Sequence, residues 1–143
     1  MKTVITYGTF DLFHIGHLRL LQRLKELGDK LIVGVSTDEF NLKKNKKAVI
    51  PFEQRCEILN GIKHIDIVIP ESSWGQKRSD IENFEVDIFG MGDDWAGKFD
   101  ELNDICSVIY LPRTSDISST LIRESKYIVN KQITKNGQFE VTF

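Results

Sequence analysis

Five short apolar runs, rich in valine and isoleucine, alternate along the chain with segments of helical periodicity. Most consecutive positions within each run are apolar, which is typical of parallel strands that are covered on both faces. The predicted strands are Val4–Tyr7, Leu31–Val35, Ile65–Ile69, Val86–Met91 and Val108–Leu111. Because strand and helix alternate, each crossover is expected to be right-handed and to return the chain to the same sheet.

The helical segments complete this pattern. The first carries a stripe of leucines, Leu20, Leu21, Leu24 and Leu27, and ends at Gly28. A second runs from Pro51 to Gly61, a weaker third from Gln76 to Phe84, and a last one begins near Ile117. The predicted fold class is α/β: a Rossmann-like, doubly wound, mainly parallel five-stranded sheet with helices on both faces.

Length and charge limit what such a chain does. Its 143 residues are the length of one domain, which we assign to residues 1–128, with a C-terminal tail at 129–143 where the pattern is lost. A formal net charge of -2 gives no overall attraction to nucleic acid or to an anionic membrane. Two distant cysteines and an amino terminus that reads as a strand predict a cytoplasmic protein.

The segment Gly8 to His17 follows the first strand and opens the first helix. A helix amino terminus presents unpaired N–H groups and the positive end of a dipole, so it favours phosphate. Gly16 removes a side chain where a ligand would approach the backbone. His14 and His17, three residues apart, fall on one side of the first turn and suit hydrogen bonding to phosphate oxygens during reaction.

This histidine pair has two other interpretations. Histidines at this spacing also occur by chance on surfaces and in cores, and they also form part of some metal sites. A metal site has little support, since His64 is the only other histidine and no cysteine cluster exists. The position of the pair after a strand, with a glycine between, favours the phosphate hypothesis.

A second strand end leads into a helix at Arg113 to Thr120. Hydroxyl groups cluster in its first turn, and Ser118 or Asp116 is also a plausible helix cap. Arg113 adds a fixed cation with planar donors suited to a triphosphate. Because ligands of doubly wound sheets bind beyond the carboxyl ends of the strands, both turns are expected to face one nucleotide.

Several of these segments resemble the sequence motifs of a known protein family. Gly8 to His17 resembles the Gly-x-Phe-Asp-x-x-His-x-Gly-His signature of the cytidylyltransferase family, within the superfamily that shares the HIGH tetrapeptide. Further similar motifs, covering about residues 2 to 127, are Ser36 to Asn41, Trp74 to Lys77, Met91 to Trp95 and Arg113 to Ser118. They are similar to those of the bacterial family members that use glycerol 3-phosphate. Ile117-Ser118-Ser119-Thr120 departs from the usual Ile-Ser-Thr-Thr and is a form common in related adenylyltransferases.

The resemblance implies a set of site residues. Those expected to be catalytic are His14, His17, Arg113 and Lys46. Those expected at the nucleotide are Thr9, Phe10, His14, Ile15, Gly16, His17, Lys46, Arg113, Thr114, Ser115, Asp116, Ile117, Ser118, Ser119 and Thr120. Those expected at the second substrate are Lys44, Lys77, Arg55, Asp11, Trp74 and Asp94.

Several of these assignments have alternatives. The lysines at 43, 44, 46 and 47 also fit a solvated surface loop, whereas a nucleic-acid patch lacks interleaved aromatic residues. Arg55 either binds phosphate or holds its loop. Asp93 to Trp95 also fits an ordinary turn at the end of the fourth strand. Asp11 and Asp94 orient the nucleotide, a magnesium ion or the glycerol hydroxyls, and the sequence does not separate these roles.

The implied activity is transfer of a cytidylyl group from CTP to glycerol 3-phosphate, giving CDP-glycerol and pyrophosphate for a teichoic-acid or capsule-type polymer. Mg²⁺ bound mainly through the CTP phosphates is implied, with no dedicated protein metal site, and so is a homodimer. The alternatives are cytidylyl or adenylyl transfer to another small phosphorylated alcohol, and a nucleotide-binding module without turnover.

Overall fold

The structure is a computed structural model, and it describes residues 1–113. Its strands are β1 (Thr3–Gly8), β2 (Lys30–Ser36), β3 (Ile67–Glu71), β4 (Ile88–Gly92) and β5 (Ser107–Leu111). Its α-helices are α1 (Ile15–Glu26), α2 (Asp38–Lys43), α3 (Phe52–Asn60) and α4 (Gln76–Asn83). Two short 3₁₀ turns, Asp93–Trp95 and Asp100–Asp104, separate β4 from β5.

All five strands are parallel and lie in the order β3-β2-β1-β4-β5. The chain therefore winds outward from β1 in one direction to β3 and in the other through β4 to β5. This confirms the predicted doubly wound parallel sheet. The reversal lies between β1 and β4, so their carboxyl ends border the crevice where ligands of such sheets bind.

Each face of the sheet is covered, as predicted. On one face, Val4 and Leu31 pack with Leu21 and Leu24 of α1 and with Leu59 of α3. On the opposite face, Ile5 and Phe89 pack with Ile81 of α4 and with Phe99 and Leu102 near the second 3₁₀ turn. Successive residues of β1 thus enter different cores, which explains why the strand is apolar at nearly every position.

The ends of α1 and α3 agree with their sequence signals. α3 begins after Pro51, which has extended backbone, and ends at Gly61. α1 ends one residue before its cap, Leu27, and Gly28 follows. A side chain at Gly28 would place its Cβ 2.8 Å from the carbonyl oxygen of Lys2, so only glycine allows the turn into β2 to pack so closely.

Helix α2 and strand β3 differ most from the sequence prediction, and β4 begins at Ile88 instead of Val86. Helix α2 was not predicted, and Lys43 lies in it rather than in the loop that follows β2. Strand β3 runs over Ile67–Glu71 instead of Ile65–Ile69 and continues through Pro70. The proline is tolerated because β3 is at the edge of the sheet and pairs only with β2.

The predicted last helix and the boundary between residues 128 and 129 lie outside the described residues. Within the described part of the chain, no helix is long and apolar enough to cross a membrane.

Candidate active site

The turn after β1 has an unusual backbone. Phe10 and Leu12 have positive φ angles of 53° and 48°, a conformation that costs energy for residues with a side chain. Asp11, between them, accepts hydrogen bonds from the backbone N–H groups of Val49 at 2.8 Å and Ile50 at 2.9 Å. The Asp11 carboxylate thus fixes the turn to the loop before α3 and keeps both segments at the mouth of the crevice.

His14 and His17 form a reciprocal cap at the start of α1. The Nδ1 atom of His14 accepts from the Gly16 N–H at 3.0 Å, and the Nδ1 atom of His17 accepts from the His14 N–H at 3.1 Å. The two rings stack with their centroids 3.9 Å apart. Because each Nδ1 is an acceptor, a neutral ring carries its proton on Nε2. The cap therefore leaves both Nε2–H groups as donors.

The same environment opposes protonation of the histidines. Burial lowers the pKa of His14. Burial and the neighbouring His14 lower the pKa of His17 to about 4, despite the opposing effect of Asp11. Stacked cations would repel each other, and desolvation penalises charge on a buried ring. At neutral pH both rings are therefore uncharged hydrogen-bond donors.

The basic loop after α2 lines the same crevice. The Nζ atom of Lys44 donates to the Ser36 hydroxyl at 3.1 Å and lies 4.5 Å from the centre of the Phe40 ring. Burial lowers the pKa of Lys44, and the nearby Glu71 opposes this effect. Lys46 is exposed and turned back onto α2 by its backbone N–H, which donates to the Asn41 carbonyl at 2.8 Å.

A buried ion pair lies deeper in the crevice. The Nζ atom of Lys77 is 2.5 Å from Oε2 of Glu71, and both residues are at most 5% exposed. The other carboxylate oxygen of Glu71 accepts from the Ser36 hydroxyl at 2.7 Å. Ser36 thus links Glu71 to Lys44, so one carboxylate positions two ammonium groups, one directly and one through a hydroxyl.

These groups surround one pocket of about 460 Å³ at the carboxyl ends of the strands. The predicted site residues that line it are Thr9, Phe10, Asp11, His17, Lys44, Lys46, Trp74 and Lys77. Tyr7, Gly8, Lys47, Ala48, Glu71, Met91, Trp95 and Phe99 complete the lining. His14, Ile15 and Gly16 lie beside it in the first turn of α1.

Arg55 lies beneath this pocket rather than in it. Its guanidinium is buried and donates to the backbone carbonyls of Ile50, Thr9 and Ser36 at 2.8–2.9 Å and to the Asp38 carboxylate at 2.7 Å. Of the two roles that the sequence left open for Arg55, the structure shows the holding of loops. These contacts do not support the expected contact with substrate, because the residue is only 1% exposed and four of its five N–H groups already donate to the protein.

Asp94 and Arg113 stand apart from this pocket, at the ends of β4 and β5. The Nη2 atom of Arg113 donates to the Asp94 carboxylate at 2.7 Å, and both side chains are mostly exposed. The carboxylate raises the pKa of Arg113.

Predicted residues Thr114 to Thr120 lie outside the described residues. Among residues 1–113, no group of three or more His, Cys, Asp or Glu side chains is placed to hold a metal ion.

Comparison with known proteins decides the family. A family model described as cytidylyltransferase-like matches residues 5–125, which is most of the chain. The chain belongs to the cytidylyltransferase-like family. The resemblance found in the turn motifs is thereby confirmed.

Within the cytidylyltransferase-like family, the chain is similar to several curated relatives named glycerol-3-phosphate cytidylyltransferase, among them one from Bacillus subtilis and one from Staphylococcus aureus. The relative from Bacillus subtilis (strain 168) is 60% identical over 124 residues, which cover 87% of this chain and 96% of the relative. The relative from Staphylococcus aureus (strain NCTC 8325 / PS 47) is 57% identical over 127 residues, covering 89% and 96%. Both alignments run through nearly the whole relative.

A solved structure supports the fold. The lipopolysaccharide core biosynthesis protein from Thermoplasma volcanium GSS1 superimposes with a TM-score of 0.68 at 23% sequence identity, covering 80% of this chain and 99% of that one. At this identity the likeness concerns the architecture of the cytidylyltransferase-like domain.

Sequence reasoning missed Tyr7 and Glu71, which line the pocket of this cytidylyltransferase-like chain, and Ser36, which links Glu71 to Lys44 behind it. Ser36 and Glu71 are partners in the register between β2 and β3. A signal for Glu71 was available, since a carboxylate directly after an apolar run lies at the rim where the ligand binds. The Tyr7 hydroxyl donates to Asp80 at 2.7 Å, a contact across 73 residues that no local pattern reveals.

Proposed function

We propose that the chain transfers a cytidylyl group from CTP to glycerol 3-phosphate, giving CDP-glycerol and pyrophosphate. The two relatives named above support this substrate pair. The single observation that carries the proposal is the composition of the pocket. The neutral donor His17, with His14 beside it, the basic loop that carries Lys44 and Lys46, and the ammonium group of Lys77 converge on one crevice, which suits two phosphate-bearing substrates.

The reaction we propose is an in-line displacement. A phosphate oxygen of glycerol 3-phosphate forms a bond to the α-phosphorus of CTP, and the bond from that phosphorus to pyrophosphate breaks. A phosphate monoester is already an anionic nucleophile at neutral pH, so no strong general base is needed. Catalysis then depends on positioning and on stabilising the charge that spreads over the transferring group.

The histidines and Lys46 are assigned to CTP. The Nε2–H groups of His14 and His17 are directed away from the helix cap, because Nδ1 is committed to it on each ring. As neutral donors, the two histidines hydrogen-bond to phosphate oxygens most strongly when those oxygens gain negative charge in the transition state. The charged Lys46 binds the triphosphate already in the ground state. Arg113 and the segment Thr114 to Thr120 are proposed to bind the same nucleotide from the other strand end.

Lys44 and Lys77 are assigned to the phosphorylated alcohol. Both ammonium groups lie near Trp74, at 5.7 Å and 5.1 Å from its ring centre. Trp74 is 55% exposed, so its ring forms part of the entrance and offers an apolar surface to the glycerol carbons. Asp11 and Asp94 already accept hydrogen bonds from protein groups, which favours a role in positioning loops over direct contact with the alcohol.

Mg²⁺ is proposed to enter with CTP. The donor set of the pocket fits an ion bound mainly through phosphate oxygens, because the two oxygens of Asp11 each accept a backbone N–H and Glu71 is paired with Lys77. Such an ion needs few protein ligands. When bound, it neutralises charge on the phosphates.

We test the activity by measuring pyrophosphate release with CTP, Mg²⁺ and glycerol 3-phosphate, and by identifying the product by mass. Release that requires all three components, with a product of the mass of CDP-glycerol, is the expected result. Tight CTP binding without pyrophosphate release would contradict the proposal and indicate a non-catalytic nucleotide-binding module.

Adenylyl transfer is the second candidate, and the segment Ile117-Ser118-Ser119-Thr120 is the observation that favours it. Replacing CTP by ATP under identical conditions separates the two, since we expect turnover with CTP only. A panel of other phosphorylated polyols and amino alcohols then tests the acceptor.

We infer a cytoplasmic enzyme because CTP is a cytoplasmic metabolite and neither Cys56 nor Cys106 is in a disulfide. CDP-glycerol would supply glycerol phosphate to a teichoic-acid or capsule-type polymer. A homodimer is also proposed, and light scattering in solution measures it.

A further inference from the structure

The ammonium group of Lys77 lies among aromatic rings. Its Nζ atom is 4.8 Å from the ring centre of Tyr7, 5.1 Å from that of Trp74 and 5.5 Å from that of Phe99. All three distances are within the range of cation–π attraction, and the residue is only 5% exposed. The lysine head is thus surrounded by ring faces in a setting with little water.

A carboxylate completes this environment. Oε2 of Glu71 is 2.5 Å from Nζ, and Glu71 is 3% exposed. Several aromatic rings with an adjacent anion make up the kind of site that proteins use to bind ammonium ligands. We call Tyr7, Trp74, Phe99 and Glu71 the cation cage. Its occupant here is a side chain of the same protein.

The cage is held in place by further contacts. The Tyr7 hydroxyl donates to Asp80, which also accepts from the side-chain amide of Gln76 at 3.0 Å. The Gln76 amide oxygen accepts from the backbone N–H groups of Ser72 and Ser73, at 2.6 Å and 3.1 Å. The loop that carries Trp74 is therefore fixed relative to Tyr7. The cage does not depend on Lys77 alone for its shape.

Lys44, the other ammonium group near Trp74, has different contacts. It lies over Phe40 and donates to Ser36, but only Lys77 pairs directly with the carboxylate. The two ammonium groups make this end of the pocket favourable for an anion. An acceptor with its own ammonium group meets like charge there and finds the cage already filled.

We propose that Lys77 determines the charge class of the acceptor. By filling the cation cage, it excludes amino-alcohol phosphates and leaves a pocket for uncharged polyol phosphates. This inference rests on the proposed function for its acceptor site. The chemistry itself is unchanged, since a phosphate oxygen of the acceptor bonds to the α-phosphorus and pyrophosphate departs. Lys77 therefore affects the selection of the acceptor and not the chemical step.

The first experiment empties the cage and refills it. Lys77→Ala removes three carbons and the ammonium group, and propylammonium has the same atoms. A second cavity of about 540 Å³, which Lys77 also lines, gives a small amine access to the vacated position. We measure the melting temperature and the turnover of glycerol 3-phosphate with propylammonium chloride, against sodium chloride at equal ionic strength.

We expect Lys77→Ala to lose at least about tenfold in kcat/KM for glycerol 3-phosphate, as for loss of a charged hydrogen-bond donor. Propylammonium should raise the kcat/KM of this variant several-fold and should also raise its melting temperature. Lys77→Met removes the charge but keeps the cage filled, so it should lose activity without rescue. Lys98→Ala, an exposed lysine beside the second cavity, should behave as the parent chain does.

The second experiment measures acceptor choice. The ratio of kcat/KM for phosphoethanolamine to that for glycerol 3-phosphate should rise at least about tenfold in Lys77→Ala, as expected for cation–π binding plus a carboxylate. It should rise less in Lys77→Met. Equal behaviour of the two variants toward both propylammonium and phosphoethanolamine, in protein that still binds CTP, overturns the proposal.

Two further outcomes are separable. If the parent chain makes no CDP-glycerol, the proposed function fails. The melting experiment with propylammonium still tests whether the cation cage binds an ammonium ligand. If the unpaired Glu71 prevents Lys77→Ala from folding, the double variant Glu71→Gln with Lys77→Ala removes that burden and keeps the three rings. Propylammonium should still raise its melting temperature, and no shift there would also overturn the proposal.

Discussion

A histidine can serve a phosphate site as a neutral donor, and His17 illustrates how the helix start arranges this. Its Nδ1 atom caps a backbone N–H, so the remaining proton is on Nε2. Burial and the stacked His14 ring keep the pKa of His17 at about 4. The backbone thereby selects the tautomer, and the site does not need a protonated histidine at neutral pH.

This arrangement predicts a pH dependence of stability. The unfolded chain protonates His17 near its ordinary pKa of about 6.5, whereas the folded chain does so near a pKa of about 4. Between these values the unfolded state binds more protons, so the free energy of unfolding falls as pH falls through this window. His17→Asn should lose less stability between pH 7 and pH 4.5 than the parent chain.

Urea unfolding midpoints at the two pH values measure the effect. Carboxylates titrate in the same range in both proteins, so the quantity to compare is the difference between variant and parent. The same loss in both would show that His17 titrates normally in the folded state.

The residues of the site were only partly predictable from sequence. His14, His17 and Lys44 belong to segments whose motif and position after a strand identify them. Glu71 gave no motif, because its role depends on the register that places it beside Ser36. Arg55 was recognised as basic, but whether its guanidinium faces the pocket or the loops depends on packing. Local sequence specifies the turns, and long-range pairing specifies the charge network.

Elements near the pocket are joined by Arg55 of α3. Its guanidinium reaches the turn after β1 through Thr9, the end of β2 through Ser36, and the start of α2 through Asp38. The turn at residue 9 and the segment 36–38, which are remote from each other in sequence, therefore share one buried cation. The carbonyl groups that accept from it would otherwise be buried without a donor, which costs free energy.

Replacing this residue should destabilise the fold substantially. Arg55→Met keeps much of the apolar stem but leaves the buried carbonyls without a donor, at a cost of about 1–3 kcal/mol for each one left unpaired. Asp38 adds less because its side chain is 46% exposed, so we expect a total loss of at least about 2 kcal/mol in the free energy of unfolding. Arg55→Lys keeps the charge but cannot reach all the acceptors, and it should lie between the parent and Arg55→Met. Chemical denaturation measures both. Arg55→Met within about 0.5 kcal/mol of the parent would contradict this role.

Most of the elements themselves were predictable because each carries a strong periodic signal. α2 was missed because six residues are too few to show a helical period, although Thr37 caps it by accepting from the Phe40 N–H. The limits of β3 were misplaced because the apolar run at 65–69 does not coincide with the residues that pair with β2, and Pro70 is accommodated only because β3 is an edge strand. In both cases tertiary context outweighed the local pattern.

At the scale of the whole molecule, one end of the sheet is built for stability and the other for binding. At the amino ends of the strands, the Lys2 carbonyl accepts from the Asp29 and Lys30 N–H groups, and the Asp87 carboxylate accepts from the Thr3 N–H. At the carboxyl ends, polar groups surround the pocket instead. The reversal of winding between β1 and β4 opens the crevice there.

This division predicts where nucleotide binding slows amide hydrogen exchange. Saturating CTP with Mg²⁺ should slow exchange in residues 8–17 and 44–50, because both segments line or border the same pocket although more than 25 residues separate them. Residues 27–30, at the opposite end of the sheet, should exchange as in the free protein. Cytidine, which lacks the phosphates, is the matched control and should protect both segments far less. Protection centred on residues 27–30, or on only one of the two pocket segments, would mean that the nucleotide does not bind across this crevice. Equal protection by cytidine and CTP would contradict the proposed contacts of the triphosphate with the histidine turn and the basic loop.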